Sequence, residues 1–196
     1  MCIRDSPDII DDSVPLRDMR GEPVYRNGVE PDDELRKMLA GKYLAPFNKA
    51  IGDCIESGAQ FLLDGHATVT AHGVAGNQID LMNFQHSHLD DEPRYFCPEG
   101  YIEAYAKELR KKLPEIRVTV NSSDYFSVYG HVCSEHSVNA TDRIGRRAPA
   151  ILQETNQQLY MNPDGTPKME AINRLRRVFA ESIHAALMCR APSKEI

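Results

Sequence analysis

The run Ala59-Gln60-Phe61-Leu62-Leu63-Asp64 constrains the fold most. It is short and apolar and follows a segment of helical spacing, which is the pattern of a strand buried on both faces of a parallel sheet. The preceding helix is capped by Asp32 or Asp33. It carries Leu35, Met38, Leu39 and Tyr43, then Phe47, Ala50, Ile51, Cys54 and Ile55. Its spacing is interrupted or restarted at Pro46, and Gly58 ends it. Helix followed by buried strand places the chain in the α/β class.

The remaining pattern agrees. Ile79 to Phe84 reads as a second strand. Pro98 and Glu99 open an amphipathic helix with Ile102, Tyr105, Ala106, Leu109 and Leu113 on one face, stopped by Pro114. Ile116 to Val120 is a β-branched strand, Ala148 to Gln153 a core strand, and Met169 to Leu187 a helix with Ile172, Leu175, Phe179, Ile183 and Leu187 at helical spacing. Residues 7–31 read as extended loop, and residues 121–147 as a long polar connection of the kind that carries function or moves. No internal repeat appears, so one domain suffices.

Composition bounds the function. A chain of 196 residues, 41% hydrophobic, has room for one ordinary core. With 23 Lys+Arg against 29 Asp+Glu and a net charge of -6, a sequence-independent grip on nucleic-acid phosphates is not expected. No apolar run approaches the roughly 20 residues that cross a bilayer, and no signal peptide is visible. The expectation is a cytoplasmic protein without a membrane partner. The five cysteines are odd in number and lack a C-x-x-C pair, so neither a disulfide framework nor a cysteine zinc site is indicated. The first six residues, MCIRDS, resemble a translated sequencing-library adapter. They are expected to be a scar that replaces the true N-terminus, with residues 7–196 as a single domain; a natural disordered start is the alternative.

Ligands in open α/β sheets bind beyond the carboxyl ends of strands, so polar residues there carry most weight. One such end is Leu62-Leu63-Asp64-Gly65-His66, where His66 could bind zinc while Asp64 orients its second nitrogen. A histidine hydrogen-bonded in a loop fits the same residues. The other is Ala150-Ile151-Leu152-Gln153-Glu154, where a buried glutamate could serve as general base; an ordinary salt-bridged Glu fits as well. His86 and His88 with Asp90 and Asp91 read better as a solvated loop than a metal cluster. His131 and His136 lie in the long connection, and His184 in the last helix reads as structural. Arg143, Arg146 and Arg147 have the guanidinium forks that recognise a substrate carboxylate, although a basic triplet alone is usually a solvated charge run. No G-x-S-x-G, P-loop or dinucleotide glycine pattern is present.

Together, "YLAPFNKAI" (43–51), "GAQFLLDGHA" (58–67), "DLMNF" (80–84) and "GRRAPAILQETNQQLYMN" (145–162) resemble the N-formylglutamate amidohydrolase family. The resemblance implies a mixed, largely parallel sheet flanked by helices, like that of zinc carboxypeptidases. It implies hydrolysis of N-formyl-L-glutamate to formate and L-glutamate in histidine breakdown. Carried over, His66 would be a zinc ligand and Glu154 the general base and acid. Asn48, Ala67 and Thr155 depart from the family's usual residues. The family's first histidine and its acidic partner, which supply the other zinc ligands, have no match here and are expected in a missing N-terminal segment. The alternatives are a carboxypeptidase-like hydrolase of another substrate and a non-catalytic binding protein on the same fold.

Overall fold

Asp32 starts the first helix, α1 (Asp33–Leu39), by accepting a hydrogen bond from the Leu35 N–H at 2.8 Å. The computed structural model describes residues 14–17, 21–69, 75–85, 94–122 and 148–188. In it, α1 widens into a π-helical turn (Ala40–Leu44) and continues as α2 (Ala45–Glu56). Pro46 accounts for the widening. It has no N–H for the bond one turn back, and its ring would press on the carbonyl there, so the wider turn carries the helix past it. The helix therefore bulges at the proline instead of breaking. At its far end Gly58 adopts φ +108°. The Gly58 N–H bonds the Ile55 carbonyl and the Ala59 N–H bonds the Cys54 carbonyl, each at 3.0 Å, which is the paired closure of a Schellman end.

Among the described residues six strands follow in two sheets. They are β1 (Leu62–Thr68), β2 (Gln78–Met82), β3 (Phe84–Gln85), β4 (Arg94–Tyr95), β5 (Arg117–Val120) and β6 (Ala150–Asn156). The main sheet has the order β1-β6-β2-β5, and β3 with β4 forms a small antiparallel pair. β1 runs parallel to β6 and β2 parallel to β5, whereas β2 and β6 are antiparallel. This is the mixed, largely parallel sheet that was expected.

Two strand boundaries differ from the reading of the sequence. β1 does not stop at Asp64, nor β6 at Gln153. Their parallel ladder continues to Thr68 opposite Asn156, and Gly65 pairs with Gln153 inside it, not in a turn. Polar side chains looked like ends because they interrupt apolar runs, yet the ladder between β1 and β6 continues past them.

Helices α3 (Glu99–Lys112) and α4 (Met169–Met188) cover one face of this sheet. Ile79, Leu81, Val118 and Ile151 from the strands pack there against Ile102, Tyr105 and Leu109 of α3 and Leu175 and Val178 of α4. The end of α3 and the turn after it are tied to the middle of α4. Lys112 Nζ donates to Glu181 Oε2 at 2.5 Å, and Arg174 pairs with Glu115. Ala150, Leu152, Met82 and Phe96 form a second cluster on the opposite face. Cys97 is buried, and burial pushes its thiol up to about 12, so it is an inert core residue. Among the described residues no helix is long and apolar enough to cross a membrane.

Candidate functional site

All seven residues of β6 are buried. Side chains alternate along a strand, so Ile151, Gln153 and Thr155 share one face while Ala150, Leu152, Glu154 and Asn156 share the other. On the helix-covered face, the polar Gln153 is satisfied by the Tyr105 hydroxyl, which donates to Gln153 Oε1 at 2.7 Å. The second face begins apolar, with Ala150 and Leu152, and turns polar at Glu154.

Strand register then assembles a row. His66 lies opposite Glu154, Glu154 opposite Asp80, and Asp80 opposite Thr119. Directly paired residues have side chains on the same face, with Cβ atoms about 4.5–5.5 Å apart. One line of polar side chains therefore crosses all four strands. Asp64, two residues before His66, shares this face, and its Oδ1 is 2.9 Å from His66 Nε2. Asp64, Asp80 and Glu154 are 8%, 1% and 5% exposed, a concentration of carboxylates that a structural sheet would not need.

The electrostatics follow from that burial. Desolvation raises the proton affinity of Glu154. His66 opposes the rise, while the charges of Asp64 and Asp80 add to it. Burial and the Glu154 carboxylate also raise Tyr160, which places that phenol within the field of the site. Asp80 is held by its neighbours. Its Oδ1 accepts from Gln78 Nε2 at 2.6 Å and from Thr119 Oγ1. Its buried Oδ2 has no hydrogen-bond partner among the described residues.

The structure thus brings together three residues singled out from the sequence, Asp64, His66 and Glu154, although they lie within strands and not beyond their ends. Arg143, Arg146 and Arg147 lie outside the described residues, as do His86, His88, Asp90, Asp91, His131, His136 and the segment 1–6. His184 is exposed on α4. Asp80 was missed as a site residue; the signal was a single acid inside the apolar run Ile79–Met82.

Beyond the carboxyl ends of β1 and β6 lies a cavity of about 530 Å³, lined in part by Val69, Gln157, Gln158, Met161, Asn162 and Lys168. It is there that an open α/β sheet offers a ligand site. As for metal, a catalytic zinc needs three converging protein ligands. Among the described residues no group of three His, Cys, Asp or Glu side chains is placed to hold an ion. These residues alone do not fit a complete zinc site.

No protein-family model and no curated protein matches the chain. A solved structure does. The crystal structure of N-formylglutamate amidohydrolase from Ralstonia eutropha JMP134 superposes with a TM-score of 0.59 at 15% identity, covering 89% of this chain and 61% of that one. The two share a fold. The chain spans 61% of the length of that enzyme.

Proposed function

We propose that the chain is a hydrolase of linear amides that converts N-formyl-L-glutamate, or a similar N-acyl amino acid, to formate and L-glutamate in the cytoplasm, as part of histidine breakdown. The observation that carries this reading is Glu154. It is a buried carboxylate of raised proton affinity, set between His66 and Asp80 on a fold like that of an N-formylglutamate amidohydrolase. A carboxylate tuned upward by burial can take a proton from water and later return it. In this reaction Glu154 removes a proton from the attacking water as its oxygen bonds the formyl carbon. The carbon–nitrogen bond then breaks, and Glu154 gives that proton to the leaving amine.

Zinc belongs to the same proposal. His66 would supply one ligand, oriented by Asp64, and further ligands would come from outside the described residues. Arg143, Arg146 or Arg147 is proposed to hold a substrate carboxylate.

Formate release from N-formyl-L-glutamate tests the reading. Glu154→Gln should lower kcat by a factor on the order of hundreds, with the far-UV circular dichroism of the wild type retained. Near-normal turnover in that variant removes Glu154 from the chemistry. Binding of the substrate by the wild type without formate release would identify a non-catalytic binding protein on this fold.

A further inference from the structure

We infer that the cavity beyond β1 and β6 is a carboxylate-binding subsite, in which Lys168 holds the anionic end of a small ligand. Its size is the first support. About 530 Å³ lies within the roughly 300–1,000 Å³ of small-molecule sites. Its lining is the second. Among the described lining residues Lys168 is the one cation and none is acidic, while Gln157, Gln158 and Asn162 add carboxamide groups and Val69 and Met161 add apolar wall. Such a lining favours an anion with a short carbon chain over a cation or a purely apolar guest.

Lys168 is also placed in advance. Its Nζ donates to the Gln158 carbonyl at 2.6 Å, which uses one of its three donors and leaves two for a ligand. Its backbone N–H bonds the Tyr160 carbonyl at 2.8 Å. The loop between these residues is closed on itself. Met161 bridges to Pro167, the Asn162 N–H bonds the Thr166 carbonyl at 2.8 Å, and Asp164 Oδ1 accepts from the Thr166 N–H at 2.9 Å and from its hydroxyl at 2.6 Å. Ordering costs on binding are correspondingly small.

The cavity lies beyond the end of the strand that carries Glu154. Gln157 is three residues further along the chain, a span of about 10 Å in extended backbone. The anionic end held there is assigned to the acyl amino acid whose amide is placed at Glu154. That substrate assignment rests on the proposed hydrolase reading, whereas anion binding at Lys168 does not.

Calorimetric titration of the full chain with glutarate, and with its neutral isostere glutaramide, tests the subsite. The wild type should bind glutarate about tenfold or more tighter than glutaramide. Lys168→Met should lose about tenfold for glutarate and leave glutaramide unchanged, Lys168→Gln should behave alike, and Lys168→Arg should stay within about threefold. Lys107→Met, an exposed lysine of α3, should have no effect. Glutarate binding by Lys168→Met at wild-type strength overturns the inference, as does a wild type that binds no glutarate. Formate release without glutarate binding sinks the subsite alone, and glutarate binding without formate release sinks the hydrolase reading alone.

Discussion

Tyr105→Phe isolates one buried hydrogen bond beneath the site. Tyr105 is 0% exposed and Gln153 2% exposed, and the hydroxyl donates to Gln153 Oε1 at 2.7 Å. Burial holds the phenol well above its ordinary range, so it remains a donor. Gln153 in turn donates from Nε2 to Thr155 Oγ1 at 3.0 Å. Phenylalanine keeps the ring packed among Ile102, Leu109 and Ile151 and removes only an oxygen, so the loss is polar and not a matter of cavity volume. It leaves Gln153 Oε1 buried without that donor, which costs about 1–3 kcal/mol, more than the roughly 1 kcal/mol net value of an average bond. In a chain of this length each kcal/mol moves Tm by about 2–4 °C, so a fall of roughly 2–12 °C is expected. Urea unfolding followed by circular dichroism should show a lower midpoint with the slope unchanged. Adding Gln153→Met removes both polar partners, so the double variant should cost less than the sum of the two single ones. A single-variant change below about 0.5 kcal/mol, or strict additivity of the pair, would refute the account.

Three further variants test the site's electrostatics, the helix end and the π-turn. Because burial raises the Glu154 pKa in the folded chain, its stabilising contribution is complete below the unfolded value of about 4.3 and is lost as pH rises through the folded value. Glu154→Gln removes that loss, so its Tm advantage over the wild type should grow from about pH 4 to about pH 8; a difference that stays constant or shrinks would count against the burial argument. Gly58→Ala forces a side chain onto φ +108° and should cost about 1 kcal/mol or more. Gly41→Ala, in the π-turn with open space where its Cβ would lie, should instead stabilise by up to about 1 kcal/mol. Equal denaturation midpoints for these two glycine variants would show that neither conformation nor propensity is read correctly there.

Much of this architecture was visible in local pattern. Asp32 as the cap, Gly58 as the stop and the apolar faces of α3 and α4 depend on neighbours within a turn or two, and those interactions are written in residue spacing. The strands of the main sheet were also legible as apolar runs, but the ends of β1 and β6 were not, and the short β3–β4 pair left no such run. Asp64 and Glu154 look like terminators because burying a carboxylate is costly, and sequence alone does not reveal a partner that shares the burden. The π-turn at Pro46 shows the same limit in a helix, where the proline marks a disturbance without saying whether the helix bends, breaks or widens.

The α/β class, the helices and Asp64, His66 and Glu154 as candidates follow from local pattern, because short-range periodicity and capping chemistry act along the chain. That His66, Glu154, Asp80 and Thr119 form one row comes from strand pairing and not from local pattern. That row depends on β6 pairing parallel with β1 and antiparallel with β2, a choice made by sheet assembly among segments far apart in the chain. A register slip of one residue on β2 would turn Asp80 into the helix-covered core and bring an apolar neighbour to Glu154. Side-chain alternation sets which residues can share a face, while long-range strand pairing sets which of them meet.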